Sequence, residues 1–281
     1  MDIFSRTHPQ LIGYLSEFRD NALKRGVPAA EVERWIDVAA RPCAELSLGG
    51  DGPVVGHFGG PLLLPPDLPD PRYPFLASLD CAALPTGATD LPLPGDGRLL
   101  LFAHADDPYG SGGGGRAMYI PADASVEERE VEYKATHFND AQSDANARKI
   151  VEQYPQGDMH LAFNFSLPPY GSPDIPDYFC NTLFREHPYA QELSAEWHAI
   201  QWRSPGGMLR LGGYAWDDGH GGADFTQEQS TGKEGNEWVL LADWYTHITG
   251  VEGLIIHWPI RWPDLTACRF DKVHAVVAWN P

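Results

Sequence analysis

The chain reads as an α+β fold, with N-terminal helices followed by a β-rich body of two similar, largely antiparallel β units. Three observations predict it. Apolar residues recur at helical spacing over roughly the first forty positions. From Cys43 onward the texture changes to short apolar runs cut by Gly and Pro. One ordered set of features, a Gly-Gly pair, a loop, an apolar strand and a second apolar strand opened by Gly, occurs twice.

Taking the elements in order, Leu11, Tyr14, Leu15, Phe18 and Ala22 lie three and four apart over 9 to 25, with Gly26 as the stop. Pro28 suits the first turn of a second helix, and Val32, Trp35, Ile36 and Ala39 line one of its faces until Pro42 ends the pattern. Strands are expected at 44–48, 75–79, 98–104, 116–120, 130–136, 160–166, 237–243, 253–258 and 273–279. Pro61, Pro65, Pro66, Pro69, Pro71 and Pro74 fix backbone dihedrals and remove amide donors, so 61–74 is expected to be an extended loop. Two further helices are expected, one between 138 and 154 and one at 189–200. No composition shift marks an interdomain linker. The chain is read as one domain over 1–281, with a helical segment 1–42 and repeats at about 43–136 and 160–281.

The repeat rests on particular residues. His57-Phe58-Gly59-Gly60 is followed by a Pro-rich loop, then Phe75 to Asp80, then Gly97 to Phe102. Arg210-Leu211-Gly212-Gly213 is followed by a polar loop, then Trp238 to Asp243, then Gly253 to His257. Such duplication predicts two similar β units about a pseudo-twofold axis, with a groove where they meet.

At these same residues the sequence resembles the YwqG-like family, a domain family of unknown function. The resemblance is carried by Arg41-Pro42, His57 to Pro61 with its Pro-rich loop, and Tyr73 to Asp80. It continues through the strand Gly97 to Phe102, Met118 to Pro121, Leu211 to Tyr214, and the strands Trp238 to Asp243 and Phe270 to Val277. It covers most of the chain and implies repeated β-rich halves. The resemblance supplies no activity, and no catalytic residue is carried over from it.

Composition narrows the partners. With 39 Asp and Glu against 20 Lys and Arg the formal charge is -19, so phosphate backbones and anionic lipid surfaces are repelled. Neither nucleic acid nor membrane is expected as a partner. A basic protein or a small ligand is. The start lacks the apolar run of about 7 to 15 residues of a signal peptide, and nowhere do about 18 apolar residues run together. Cys43, Cys81, Cys180 and Cys268 are scattered without a C-x-x-C pair, as free thiols in a reducing compartment would be. A cytoplasmic location is therefore expected, with no cofactor and no metal.

Catalytic signatures are missing: there is no G-x-S-x-G elbow and no H-E-x-x-H pair. Tyr109 to Arg116 is glycine-rich but lacks the Gly-Lys-Ser/Thr ending of a phosphate loop, and reads as a surface loop. Backbone freedom, imidazole, carboxylate and aromatic groups are densest in two segments. One holds His57, Phe58, Gly59 and Gly60, and the other holds Tyr214, Trp216, Asp217 and His220. These eight are the candidate ligand-binding residues, expected to line one shared pocket where the halves meet. The leading expectation is a non-catalytic binding or interaction protein. One alternative is a hydrolase or metal-assisted enzyme using His57, His104, Asp217 and His220, since His beside a carboxylate can move protons. Another is an acidic inhibitor or immunity-type partner of a basic protein.

Overall fold

A computed structural model describes residues 9–39, 41–105, 113–131, 133, 141–166, 188–201, 207–215 and 238–279. Helices α1 (Pro9–Lys24) and α2 (Ala29–Ala39) stand where the apolar spacing predicts. Gly26, at a φ of 85°, ends the first by taking a left-handed conformation that an L side chain rarely adopts. Leu15, Phe18 and Ala22 of α1 meet Val32, Trp35 and Ile36 of α2, and Leu193 and Ile200 of α4 (Ala190–Gln201) join them. The Phe18 and Trp35 rings stack at 5.4 Å. Phe165 of the sheet joins this helical layer, and Phe163 packs against both it and the main core. Helix α3 (Ala141–Val151) and a short α5 (Trp262–Thr266) complete the helices of the described residues.

The strands are β1 (Arg41–Ser47), β2 (Val54–Phe58), β3 (Leu62–Leu64), β4 (Phe75–Asp80), β5 (Arg98–Ala103) and β6 (Gly115–Ile120), then β7 (Glu127–Arg129), β8 (Gly157–Ser166), β9 (Leu209–Gly212), β10 (Trp238–Tyr245), β11 (Leu254–Arg261) and β12 (Val276–Trp279). Ten of them form one antiparallel sheet in the order β12-β11-β10-β9-β1-β8-β2-β4-β5-β6, and β3 pairs with β7 as a separate ribbon. The sheet curls until its edges approach. Gly114, just before β6, donates to the Ala275 carbonyl, just before β12, at 3.1 Å, and the Trp258 indole donates to the Phe102 carbonyl at 3.3 Å. The result is nearly a barrel. Its inward residues, among them Leu46, Leu161, Leu99, Leu101, Leu211, Trp244, Ile256 and Trp258, make the main core.

The segments 56–104 and 209–258 have the same strand order, each running outward from the central β1/β8 pair. Their irregularities match as well. β4 slips against β5 between Phe75 and Ala77, and β10 slips against β11 between Leu240 and Ala242. In both cases the residue within the slip, Leu76 or Leu241, is a fully buried leucine. Ala77 and Ala242 therefore hold equivalent places, two residues away from the alignment suggested by matching Phe75–Asp80 to Trp238–Asp243. The acid ending each sequence run misleads, because Asp80 pairs with Arg98 at the strand end whereas Asp243 lies mid-strand opposite His257.

Several expectations need correction. Residues 54–58 and 209–212 are strands that were not among those expected, and Leu62–Leu64 forms a strand inside the Pro-rich segment. Prolines flank that strand rather than interrupt it, so its amides remain able to pair with β7. A strand stands at Glu127–Arg129; of the one expected at 130–136, residues 130, 131 and 133 are not in a strand and the others lie outside the described residues. The strand expected at 273–279 begins at Val276 after a 3-10 turn over Phe270–Lys272. No helix among the described residues is long and apolar enough to cross a membrane.

Candidate functional site

β2 delivers the chain to a reversal at Gly59 and Gly60, whose φ values of 58° and 80° suit glycine. A Cβ at Gly59 would displace the end of the Gln156 side chain. Gln156 Oε1 accepts from the Gly60 amide at 3.1 Å, tying the turn to the residue that precedes β8. His57 Nδ1 donates to the Gly59 carbonyl at 3.1 Å and closes the turn from within.

Beside this turn lies a cleft of 270 Å³, walled by Leu62, Phe75 and Val131 and edged by Glu128, Glu130, Tyr133 and Gln156. The Tyr133 hydroxyl accepts from the Phe75 amide at 3.0 Å, which leaves its own proton for another acceptor. Burial raises its pKa above the ordinary phenol value, so it stays a donor at neutral pH. The opposite wall is held by Arg129. Its guanidinium donates to Asp70 and to the Pro66 carbonyl, both at 2.9 Å, and pairs with Glu127 at 2.8 Å. The Pro-rich segment is thereby strapped to β7, and the cleft combines a few converging polar groups with apolar walls.

The other half carries a different constellation on the same outward face. Glu45, Arg210, Asp243 and His257 are successive cross-strand partners over β1, β9, β10 and β11, at 8, 6, 6 and 2% exposure. Arg210 donates to Asp243 at 2.6 Å and to the Tyr214 carbonyl at 2.7 Å, and His257 Nδ1 lies 3.8 Å from Asp243. Glu45 accepts from Asn164 at 3.1 Å and from the Gly207 amide at 2.9 Å. Desolvation opposes the charges on Glu45 and Arg210. For Glu45 it outweighs Arg210 and the two donors, and raises the carboxyl above its ordinary value. For Arg210 the neighbouring carboxylates outweigh it, and the guanidinium stays charged. Burial likewise pushes the adjacent Cys43 thiol well up, with Glu45 adding to the effect. These are tethers: through Gly207 and Tyr214 they fix the backbone on both sides of β9.

Tyr214 itself is buried under Arg41, whose guanidinium sits 5.2 Å from the ring centroid, and burial pushes its hydroxyl up to about 12. Its amide donates to Ser166 at 3.0 Å, at the far end of β8 from Gly157, where the Gly59–Gly60 turn lies. Nine residue steps along β8 are about 30 Å. The structure therefore gathers His57, Phe58, Gly59 and Gly60 at one end of the sheet and does not bring Tyr214 to them. The physical reason is that β2 and β9 run antiparallel, so their Gly-Gly ends point opposite ways. Trp216, Asp217 and His220 lie outside the described residues. His57 and His104 do not meet either. His57 is two strands from β5 and in register with Leu100, four residues short of His104, or some 15 Å away. Among the described residues no group of three or more His, Cys, Asp or Glu is close enough to hold a metal ion.

Reading the sequence missed Gln156, Tyr133, Glu128, Arg129 and the Glu45–Arg210–Asp243–His257 row. No local motif announces them, since partners lie up to 162 residues apart. The only usable signal was polarity inside apolar strands, at Glu45, Arg210, Asp243 and His257.

No curated protein matches the chain. Residues 56–279 match a family model described as a domain of unknown function, DUF1963, and they include both Gly-Gly turns, the end of β2 and β3 to β12. The chain belongs to that family.

Proposed function

We propose that the protein is a non-catalytic binding protein whose ligand seats in the cleft at the Gly59–Gly60 turn. The observation that carries this reading is the convergence there of the Gly60 backbone, the Tyr133 hydroxyl, Gln156 and the carboxylates Glu128 and Glu130 on apolar walls. The carboxylates favour a cationic group, an amine or guanidinium, carried on a small ligand or displayed by a basic partner protein. The formal charge of -19 would steer either toward this surface. His57 is engaged in closing the turn, which suits a scaffold role better than proton transfer.

Two finer readings belong with this one. The equal strand orders and matching slips of the two flanks support an origin by internal duplication, as in the YwqG-like family that the sequence resembles. The lack of an apolar membrane-length helix among the described residues agrees with a cytoplasmic protein.

The test is a titration with butylguanidinium, followed by NMR at the Gly60 amide and the Tyr133 ring. Saturable shifts are expected, weakened roughly two- to tenfold by the double change Glu128→Gln and Glu130→Gln. Absence of any shift, or turnover of a hydrolase substrate abolished by His57→Ala, would overturn the reading.

A further inference from the structure

A second cleft, of 330 Å³, opens beside Leu63 and Val126 of the β3/β7 region. Leu63, Ile120, Ala124 and Val126 give it an apolar wall, and Asp80, Asp96 and Arg98 border it. Asp80 and Arg98 are direct cross-strand partners, and Arg98 is also opposite Ile120, so all three side chains stand on the outward face.

The charges there are arranged without neutralising one another. Among the described residues the exposed Arg98 guanidinium makes no ion pair, although two carboxylates line the same cleft. Each carboxylate is instead oriented by a neutral donor. Asp80 Oδ1 accepts from the Ala82 amide at 3.0 Å, and Asp96 Oδ1 accepts from the Tyr119 hydroxyl at 3.0 Å. That leaves a fixed pair of anionic groups and a cation around one apolar floor. A simple anion would be repelled by the two aspartates, and a simple cation by Arg98. A molecule with both charges on one small centre and an apolar tail satisfies all three.

We propose that this cleft binds a free α-amino acid with an apolar side chain. Its carboxylate takes the forked donors of Arg98, its ammonium faces Asp80 and Asp96, and its side chain lies on Leu63, Ile120 and Val126. The volume is at the lower end of the range of roughly 300–1,000 Å³ for small-ligand sites, as a ligand of this size requires. Val126, 38% exposed, is the apolar surface that such a ligand would cover.

The experiment is an NMR titration read at the Val126 methyls and the Ile120 δ-methyl, with four probes: leucine, 4-methylpentanoate, isopentylamine and glycine. Leucine is expected to bind most tightly, and removal of the carboxylate, the ammonium or the tail should each weaken binding. Arg98→Met should cut leucine affinity roughly tenfold or more while leaving isopentylamine no weaker. Asp96→Asn, which retains the acceptor for Tyr119, should weaken leucine and isopentylamine but not 4-methylpentanoate. The proposal fails if leucine gives no saturable shift in the wild-type protein, or if its affinity is unchanged by Arg98→Met. Retained isopentylamine binding shows that the variant is folded, so a loss confined to carboxylate-bearing probes cannot be a folding defect.

Discussion

At equivalent places on the outward face, the row Asp158, His57, Ser78 and Leu100 in one half corresponds to Glu45, Arg210, Asp243 and His257 in the other. The first row runs from an exposed acid to a leucine buried under the β3/β7 ribbon, where Leu62, Leu64, Phe102 and Ile120 pack around it. The second is charged or ionisable at every position and nearly sealed from solvent. One strand framework therefore supports two ways of holding its outer layer. In the first half apolar burial holds a short ribbon. In the second, directional bonds from Glu45 and Arg210 hold the backbone at Gly207 and Tyr214. Apolar contact tolerates sliding, whereas a carboxylate accepting a particular amide fixes a position. The first half leaves clefts beside its ribbon, and the second spends its outward face on tethers.

The largest expected effect comes from breaking the charged row. Asp243→Ala leaves the Arg210 guanidinium buried without its 2.6 Å partner, and such orphaned charges cost about 3–5 kcal/mol. Ser78→Ala, the matching change in the other half, should cost about 1 kcal/mol or less. Urea unfolding of the two variants measures the contrast directly. Equal losses would mean that the two rows carry the same burden.

A second contrast concerns the paired glycines, all at positive φ. A Cβ at Gly213 would come within 2.6 Å of Ser166 Cβ and 3.1 Å of Cys43 Cβ, while one at Gly60 would meet only His57, at 3.1 Å. Backbone strain is common to both, about 1–2 kcal/mol, and crowding adds about 1–3 kcal/mol at Gly213 alone. Gly213→Ala should thus destabilise by roughly twice as much as Gly60→Ala in the same unfolding assay.

Much of the fold was legible in the sequence because it is written in local terms. The spacing of Leu15, Phe18 and Ala22 gives α1, and the runs at Leu99–Phe102 and Leu254–Ile256 give β5 and β11. The Gly-Gly pairs were also readable as equivalent turns. Their placement was not, since whether two turns share a pocket depends on strand direction around the sheet. That in turn depends on β8 inserting between β1 and β2. The cleft was half legible for the same reason. Gly59 and Gly60 declare themselves by type, whereas Gln156 reaches Gly60 across 96 positions and looks like any surface glutamine. His104 shows the converse. By residue type it was a candidate for proton transfer, yet it is 1% exposed and packs edge-on against Tyr73 at 5.8 Å.

The smallest effect is a change of slope, and it tests whether the charged row is under electrostatic tension. Desolvation raises the Glu45 carboxyl above its ordinary value near 4.5 in the folded protein. In the window above that value the folded state holds this proton more tightly than the unfolded state does. Glu45 therefore contributes stability that is fully present below about pH 4.5 and is lost as pH rises through the raised folded value. Its matching residue Asp158 is exposed at the sheet end. Glu45→Gln removes the titration, though the NH2 that replaces one carboxylate oxygen cannot accept, so the variant starts with one of the bonds from Asn164 and Gly207 lost. The level of stability is then a poor guide and its pH dependence is the useful one. Unfolding free energies measured from pH 4.5 to 8 should show the wild type losing ground to Glu45→Gln as pH rises. A difference that grows in the opposite direction would mean that Arg210 and the two donors, rather than burial, govern the carboxyl.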